Sequence, residues 1–318
     1  MSSWVYLSRR LIQLPLVLFV ASLTIFSLLH ITPGDPVQIM LGMETSPDAV
    51  AALRAQFHLD QPLPMQYLIW VGDAIRGDLG NSIRLSQPVL HIIEQRFPIS
   101  LGLAAAAMGL TLVVAIPAGI FSALRRNTFV DYLITGLSIG GIAIPNFVLA
   151  LVLIYVFSVT LGWFPITGIG SRARVGDTLW QIYSPFILPS VALAAAEIGL
   201  LTRFMRSSMI DVLSRDYIRT ARAKGLPGWW IIVVHGMKNA MIPVVTISAI
   251  QFGYLIGIQI TIEFIFAIPG MGSALLEAVV NRDFPVVQGL TLMTAVFFVL
   301  ANIVADTLYV LLDPRIRY

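Results

Sequence analysis

The sequence predicts an all-α polytopic membrane protein with six transmembrane helices and both termini on the cytoplasmic side. Three observations carry that prediction. Only 12% of the 318 residues are charged and the mean hydropathy is +0.85, whereas soluble domains carry about 25% charged residues. Six charge-poor stretches come close to or exceed the roughly 20 helical residues that a bilayer core requires. Lysine and arginine concentrate in alternate connections, the asymmetry that orients membrane helices.

Residues 11–31 form the first charge-free stretch, behind Arg9 and Arg10. Its length exceeds the apolar segment of a cleaved signal, and no small-residue cleavage site follows, so it reads as an uncleaved anchor. Residues 1–31 thus make up the tail and first span. Residues 32–98 hold seven acids and are the one sizeable water-soluble segment. Ser46-Pro47-Asp48 has the pattern of a helix start. Pro88 to Phe97 is amphipathic, with Val89, Ile92, Ile93 and Phe97 at helical spacing. The segment is too short and too broken to bury a core alone, so it reads as a helical elaboration lying against the membrane helices or a partner.

Residues 99–312 form a five-span core. Its spans are 99–124, 132–161, 185–202, 241–262 and 286–305, the last running on across Asp306 to about 312. Gly136, Gly140, Gly141 and Pro145 in the third span permit close helix approach or a kink. The N-terminal tail, the Arg125-Arg126 turn, the loop 203–240 and the tail 313–318 together carry 13 Lys/Arg, the opposite side 7, of which 4 lie in the long 32–98 segment. Long segments count little in this rule, so both termini and the 203–240 loop are assigned to the cytoplasm and 32–98 to the outside.

The chemistry absent from the chain is informative. It has no cysteine, and its two lysines, Lys224 and Lys238, stand in no GxxxxGK[ST] loop, so no phosphate-loop ATP site exists on this chain. HExxH, GxSxG and CxxC are missing too. The four histidines are scattered, which gives no metal cluster. A net charge of +3 does not argue for nucleic acid.

Three acids fall in or at the edge of apolar stretches: Glu197, Glu263 and Asp306. Such groups are functional candidates because their burial must be compensated. Glu263, near the outer end of its span, reads rather as a structural or headgroup-level residue. Glu197 is deepest and reads as a polar lining of a pathway. Asp306 stays open between those roles. Acid or histidine relays and paired broken helices, the marks of a proton-driven transporter, are not evident.

The segment from Asp216 to Trp230 is the longest basic, helix-patterned run between spans. Residues 207–224 read as a helix continuing from the fourth span, with Asp211/Arg215 and Asp216/Arg219 as intrahelical pairs. Gly225-Leu-Pro-Gly228 ends it and turns the chain. A second helix follows, with Leu226, Trp229, Trp230 and Val233 as its stripe. A helix–turn–helix with a small-residue tip suits a groove on another protein; the competing reading is a basic anchor for anionic headgroups.

These residues resemble a known family. Tyr217-Ile-Arg-Thr-Ala-Arg-Ala-Lys-Gly225, then His235, Lys238-Asn-Ala240 and Pro243-Val-Val-Thr246, look like the cytoplasmic loop of the permeases of ATP-binding-cassette importers, in the dipeptide/oligopeptide/nickel/glutathione branch. Pro33-Gly-Asp-Pro36, Gly77-Asp-Leu-Gly-Asn-Ser82, Glu263-Phe-Ile-Phe266 with Pro269-Gly-Met-Gly272, Asp283-Phe-Pro-Val286 and Asp313-Pro-Arg-Ile-Arg317 look like landmarks of that branch in the right order. Arg219-Thr220-Ala221 stands where the general permease loop has Glu-Ala-Ala, which weakens any link to sugar or amino-acid permeases.

The resemblance implies the type I importer permease fold in a bacterial inner membrane. It implies a non-enzymatic translocation subunit working with a homologous second permease, two cytoplasmic ATPase subunits and an extracytoplasmic binding protein. ATP and magnesium would sit on the ATPases, with no cofactor in this chain. Ala221, Arg222, Ala223, Lys224, Gly225, Leu226 and Pro227 would form the ATPase-coupling contact. Peptides or peptide-like solutes are the implied cargo, with nickel as the alternative. An ATPase-independent transporter and a non-transporting scaffold are further readings, but the coupling-loop pattern fits neither.

Overall fold

The computed structural model describes residues 15–27, 54, 60–166 and 178–312. Within those residues it is helical, with one isolated bridge between Asn81 and Pro88. The expectations for Arg9 and Arg10, Pro33 to Pro36, Ser46 to Asp48, Arg172, Arg174 and the 313–318 tail lie outside the described residues.

In chain order the helices are α1 (Pro15–Ser27), α2 (Leu63–Ile75), α3 (Val89–Leu124), α4 (Phe129–Ala143), α5 (Asn146–Thr160), α6 (Leu179–Leu213), α7 (Asp216–Ala223), α8 (Gly228–Ile258), α9 (Ile260–Ile265), α10 (Met271–Val280) and α11 (Phe284–Leu312). Among the described residues α3, α6, α8 and α11 are each long and apolar enough to cross a bilayer, and α4 with α5 passes the same test as one bent pair.

Several boundaries differ from the sequence expectation. The amphipathic stretch from Pro88 to Phe97 and the second span are one helix, α3, which carries Pro98 and Pro117 internally. At 36 residues it is about 54 Å long, well beyond the hydrocarbon thickness. The third span is not one rod: α4 and α5 meet at 101°. The cause is Pro145, which forces Ile144 out of helical geometry (φ −83°, ψ 121°) as proline does to the residue before it. The fourth span begins earlier and ends later, as the 35-residue α6. Residues 207–224 do not continue as one helix. Arg215 is extended (φ −71°, ψ 150°), so α7 is a separate element. The expected Asp211/Arg215 register is thereby lost, while Asp216 and Arg219 do pair, at 3.3 Å.

Side-chain contacts fix the helix directions. Gly119 of α3 lies on Met205 and Thr202 of α6, and Ser122 of α3 joins Arg206 of α6 through Asp131. Both helices therefore run the same way. Gly141 meets Ala195, Gly199 meets Ser138 and Asp131 meets Arg206, so α4 runs against α6. Ser208 bonds the Ala240 carbonyl and Gln251 bonds Glu197, so α8 also runs against α6. Gly289 lies on Val89 and Phe297 on Phe97, so α11 runs with α3. The starts of α4 and α8 and the ends of α3, α6 and α11 thus share one end of the bundle. It holds Arg125, Arg126, Arg203, Arg206 and the 215–224 cluster, and is called the basic end below.

The centre is α6, which packs along α3, α4, α5 and α8. Glycine permits the closest crossings: a Cβ on Gly141 would lie 2.7 Å from the Ala195 carbonyl oxygen, and one on Gly119 2.8 Å from that of Thr202. With no hydrophobic driving force between helices in lipid, such close approach is what holds spans together. Leu193, Leu201, Met205 and Met209 of α6 are fully buried in the core, with Leu103, Val244 and Leu255 around them.

Candidate functional site: the basic-end hairpin and the buried acids

The hairpin between α6 and α8 is built from a short helix fastened on one face. Ile218 and Ala221 of α7 are buried against Ile231 of α8, with Leu213 and Leu226 closing the cluster. Asn239 donates to the Tyr217 hydroxyl at 2.9 Å, a second attachment of α7 to α8. The opposite face carries Arg219, Arg222, Ala223 and Lys224 into solvent.

Helix α7 ends in a complete Schellman motif. Lys224 is the C-cap and Gly225 takes the left-handed conformation, φ +75°. The Gly225 N–H donates to the Arg222 carbonyl (2.9 Å) and the Leu226 N–H to the Ala221 carbonyl (3.4 Å), and Leu226 packs back onto the helix. Pro227 then prevents continuation, completing the motif as chemistry expects. Every residue of Gly225-Leu226-Pro227 therefore has a local role. A side chain at Gly225 would meet nothing within 4 Å, so the turn leaves an open tip.

Of the seven residues expected at the coupling contact, Arg222, Ala223, Lys224, Gly225 and Pro227 are exposed together at that tip. Leu226 is half-buried and Ala221, 7% exposed, turns inward. Ala221 supports the hairpin from inside. The expected stripe of the following helix is mostly outside: Trp229, Trp230 and Val233 are exposed.

The structure does not bring Glu197, Glu263 and Asp306 together. Glu197 is buried between α6 and α8 and accepts one hydrogen bond from Gln251, at 3.0 Å. Asp306 is half-buried on the last part of α11. Glu263, fully buried, is the knot of a polar clasp at the end opposite the basic one. Ser100 of α3 donates to its carboxylate at 2.6 Å and Ser273 N–H at 2.9 Å. Ser100 Oγ also accepts from the Met271 N–H at 2.7 Å. The carboxylate caps α10, where an anion is favoured by the free N–H groups and the helix dipole. Gly270 and Gly272 line it so closely that a Cβ on either would strike it. The two halves of the Glu263-Phe-Ile-Phe and Pro-Gly-Met-Gly landmarks are thus one physical device.

A second clasp joins two other landmarks. Asp283 is buried and accepts from Ser82 Oγ (2.5 Å), Ile83 N–H (3.2 Å) and Arg84 N–H (3.3 Å), tying the Gly77–Ser82 loop to the start of α11. A third sits at the basic end and escapes sequence reasoning altogether. Asp131 receives a bidentate pair from Arg206, at 2.7 Å on each oxygen, with Ser122 Oγ and Asn127 N–H as further donors. Four elements meet on that one carboxylate: α3, its following turn, α4 and α6. Asp131 lies one residue before an uncharged stretch, where an acid reads as a loop group. Its position in the first turn of α4 on the glycine-lined face is the signal that could have found it. Among the described residues no group of His, Asp and Glu is arranged to hold a metal ion.

Comparison with known proteins agrees with this architecture. Residues 115–318 match the family model described as binding-protein-dependent transport system inner membrane component, and residues 4–104 match the N-terminal model of the same systems. The glutathione transport system permease protein GsiC of Escherichia coli O6:H1 (strain CFT073) is 42% identical over 313 residues, 98% of this chain and 99% of that protein. GsiC of Escherichia coli K12 and of Shigella dysenteriae serotype 1 are each 41% identical over the same length. A chain of the crystal structure described as inward-facing conformations of the MetNI methionine ABC transporter, CY5 native crystal form, superposes with TM-score 0.56 at 14% identity, covering 70% of this chain and 97% of that one. The chain belongs to the binding-protein-dependent transport system inner membrane components, as the permease subunit of an importer.

Proposed function

We propose that this permease forms half of a translocation path for peptide-like solutes, with glutathione-sized peptides as the first candidates, and is driven by a separate ATPase docked on the tip at 222–227. The observation that carries the coupling assignment is the hairpin itself. Its helix is fastened on one face by Ile218, Ala221 and Tyr217, leaving Arg222, Ala223, Lys224 and Gly225 free on the other. A headgroup anchor needs the charge but not a rigid, proline-terminated turn. The substrate class rests on the name of the relatives and their near full-length identity. The absence of a phosphate loop from the chain accords with ATP and magnesium sitting on the partner.

The remaining assembly follows the same reading: a second homologous permease, two ATPases and an extracytoplasmic binding protein meeting the 32–98 segment. The basic end faces the cytoplasm, with six spans and both termini on that side. The alternating directions of α3, α4, α6, α8 and α11 support the reading, and the Lys/Arg asymmetry orients it. A cysteine at Ser46 is expected to label from outside and one at Ser214 after permeabilisation alone; the reverse pattern overturns the orientation.

The functional test uses vesicles holding the assembled transporter. Uptake of glutathione or short peptides should require internal ATP and survive collapse of the proton gradient. Gly225→Arg, which places a large charged side chain at the open tip, should abolish uptake while the protein stays in the membrane. Uptake that persists in Gly225→Arg sinks the docking assignment; uptake that needs the gradient and not ATP sinks the importer.

A further inference from the structure

The first turns of α8 carry an aromatic patch that the hairpin does not use. Trp229 is 63% and Trp230 42% exposed, their rings meet edge to face at 5.3 Å, and Val233 continues the patch one turn on. Exposed tryptophans in a membrane protein usually mark the interfacial belt. Depth argues against that here. Lys238 and Asn239 are exposed on α8, and Ser208 of α6 is level with Ala240. Arg203, exposed and one turn deeper on α6, lies further toward the bilayer centre than any of these. Charged groups at that level place the hydrocarbon boundary at or before Lys238.

Trp229 and Trp230 lie nine and eight residues before Lys238, and because residues 231–237 are wound as a wider π-helix, with less rise per residue than the 1.5 Å of an α-helix, the separation along the axis is roughly 9–10 Å. The headgroup layer on one side is only about 5–7 Å deep, and an ordinary tilt of about 20° removes less than 1 Å from the projection. The patch therefore stands beyond the headgroups. It also stands at the very end of α6, whose last residue, Leu213, packs into the Ile231 cluster.

An exposed aromatic pair in water marks an interaction surface. It is continuous in the chain with the α7 tip, because residues 224–227 are the whole connection between the two helices, and exposed Arg219, Arg222 and Lys224 precede it. We propose that Trp229, Trp230 and Val233 form the apolar half of the ATPase-docking surface. Its occupant would be an apolar pocket with an acidic rim on the partner, beside the cleft that takes the tip. This extends the coupling assignment and rests on it. The tip supplies close approach and charge, whereas the tryptophan pair supplies buried area, and such aromatic anchors dominate interface affinity.

The natural absence of cysteine makes the test direct. Single variants Ala223→Cys and Val233→Cys, which leave both tryptophans in place, are put in nanodiscs and labelled with a membrane-impermeant maleimide, with and without the ATPase subunit. Both should label freely alone, and both should be protected about tenfold or more by the ATPase. Trp229→Ala/Trp230→Ala should weaken ATPase binding at least about tenfold while leaving thermal unfolding unchanged. A bimane on Val233→Cys that is quenched by lipid-borne quenchers overturns the proposal in favour of membrane contact. Protection at 223 without protection at 233 overturns it and leaves the tip docking intact. Protection at neither position, with the ATPase bound, removes the coupling assignment as well.

Discussion

The two ends of this helix bundle use polar residues in opposite ways. At the end opposite the basic one, two acids are buried and saturated: Glu263 and Asp283 each gather donors from distant parts of the chain. At the basic end, among the described residues, most charge is exposed, and the Asp131–Arg206 pair is drawn inside. A charge buried against several donors fixes geometry, because removing it strands those donors. A charge left in solvent contributes little stability and is available to another molecule. Landmarks that look alike as sequence patterns thus divide into buried fasteners and an exposed turn.

That contrast can be broken from its stable side first. Glu263→Ala leaves the Ser273 N–H and Ser100 without their acceptor and should cost about 3 kcal/mol or more; thermal unfolding in detergent reads the loss. Stability within experimental error of the parent would show that the clasp is not a fastener. Gly272→Ala, whose Cβ would lie 2.7 Å from the Ile260 Cα, should act in the same direction, because backbone cannot swing aside.

Next comes the buried pair at the basic end. A double-mutant cycle with Asp131→Asn and Arg206→Gln should return a coupling of about 2 kcal/mol, large for an ion pair and reflecting the desolvated bidentate geometry. A coupling near zero would group this pair with the exposed charges around it. Smaller again is Gly225→Ala. The left-handed backbone there costs an alanine roughly 1 kcal/mol, with no clash to add. Uptake should therefore survive Gly225→Ala and fail in Gly225→Arg, which separates strain from obstruction. Last in stability is Ala223→Gln, an exposed change worth within about 0.5 kcal/mol, yet transport should fall sharply if the tip enters a cleft. A variant that unfolds there, or transports normally, erases the distinction between the ends.

Sequence reasoning reached five of the six expected apolar spans, the turn at 225–228 and the clustering of positive charge between spans, because hydropathy, proline and glycine act locally. It stopped where meaning depends on distant partners. Gly270 and Gly272 read as a loop until Glu263 is seen against them. Gly77 to Ser82 and Asp283 to Val286 are about 200 residues apart, and nothing local shows that Asp283 completes the loop around Ser82. Pro145 was visible as a possible kink, but its consequence, a 101° turn in place of one straight span, depends on how α5 packs against α6. Asp131 was hidden by standing one residue outside an uncharged run.

The arrangement of α6, α7 and α8 has a mechanical consequence. Helix α7 is a short bar held between two joints, Ser214–Arg215 and Gly225–Pro227. The bars beyond them run 35 and 31 residues, or about 50 Å each, and are cross-braced by Ser208 on Ala240 and Gln251 on Glu197. A push on α7 is thus delivered to two antiparallel levers at once. One passes it along the axis of the whole bundle; the other ends beside Gln259, whose amide reaches the Ser100 carbonyl within the Glu263 clasp. The yoke at one surface and the latch at the other are therefore joined by continuous helices and not by loops.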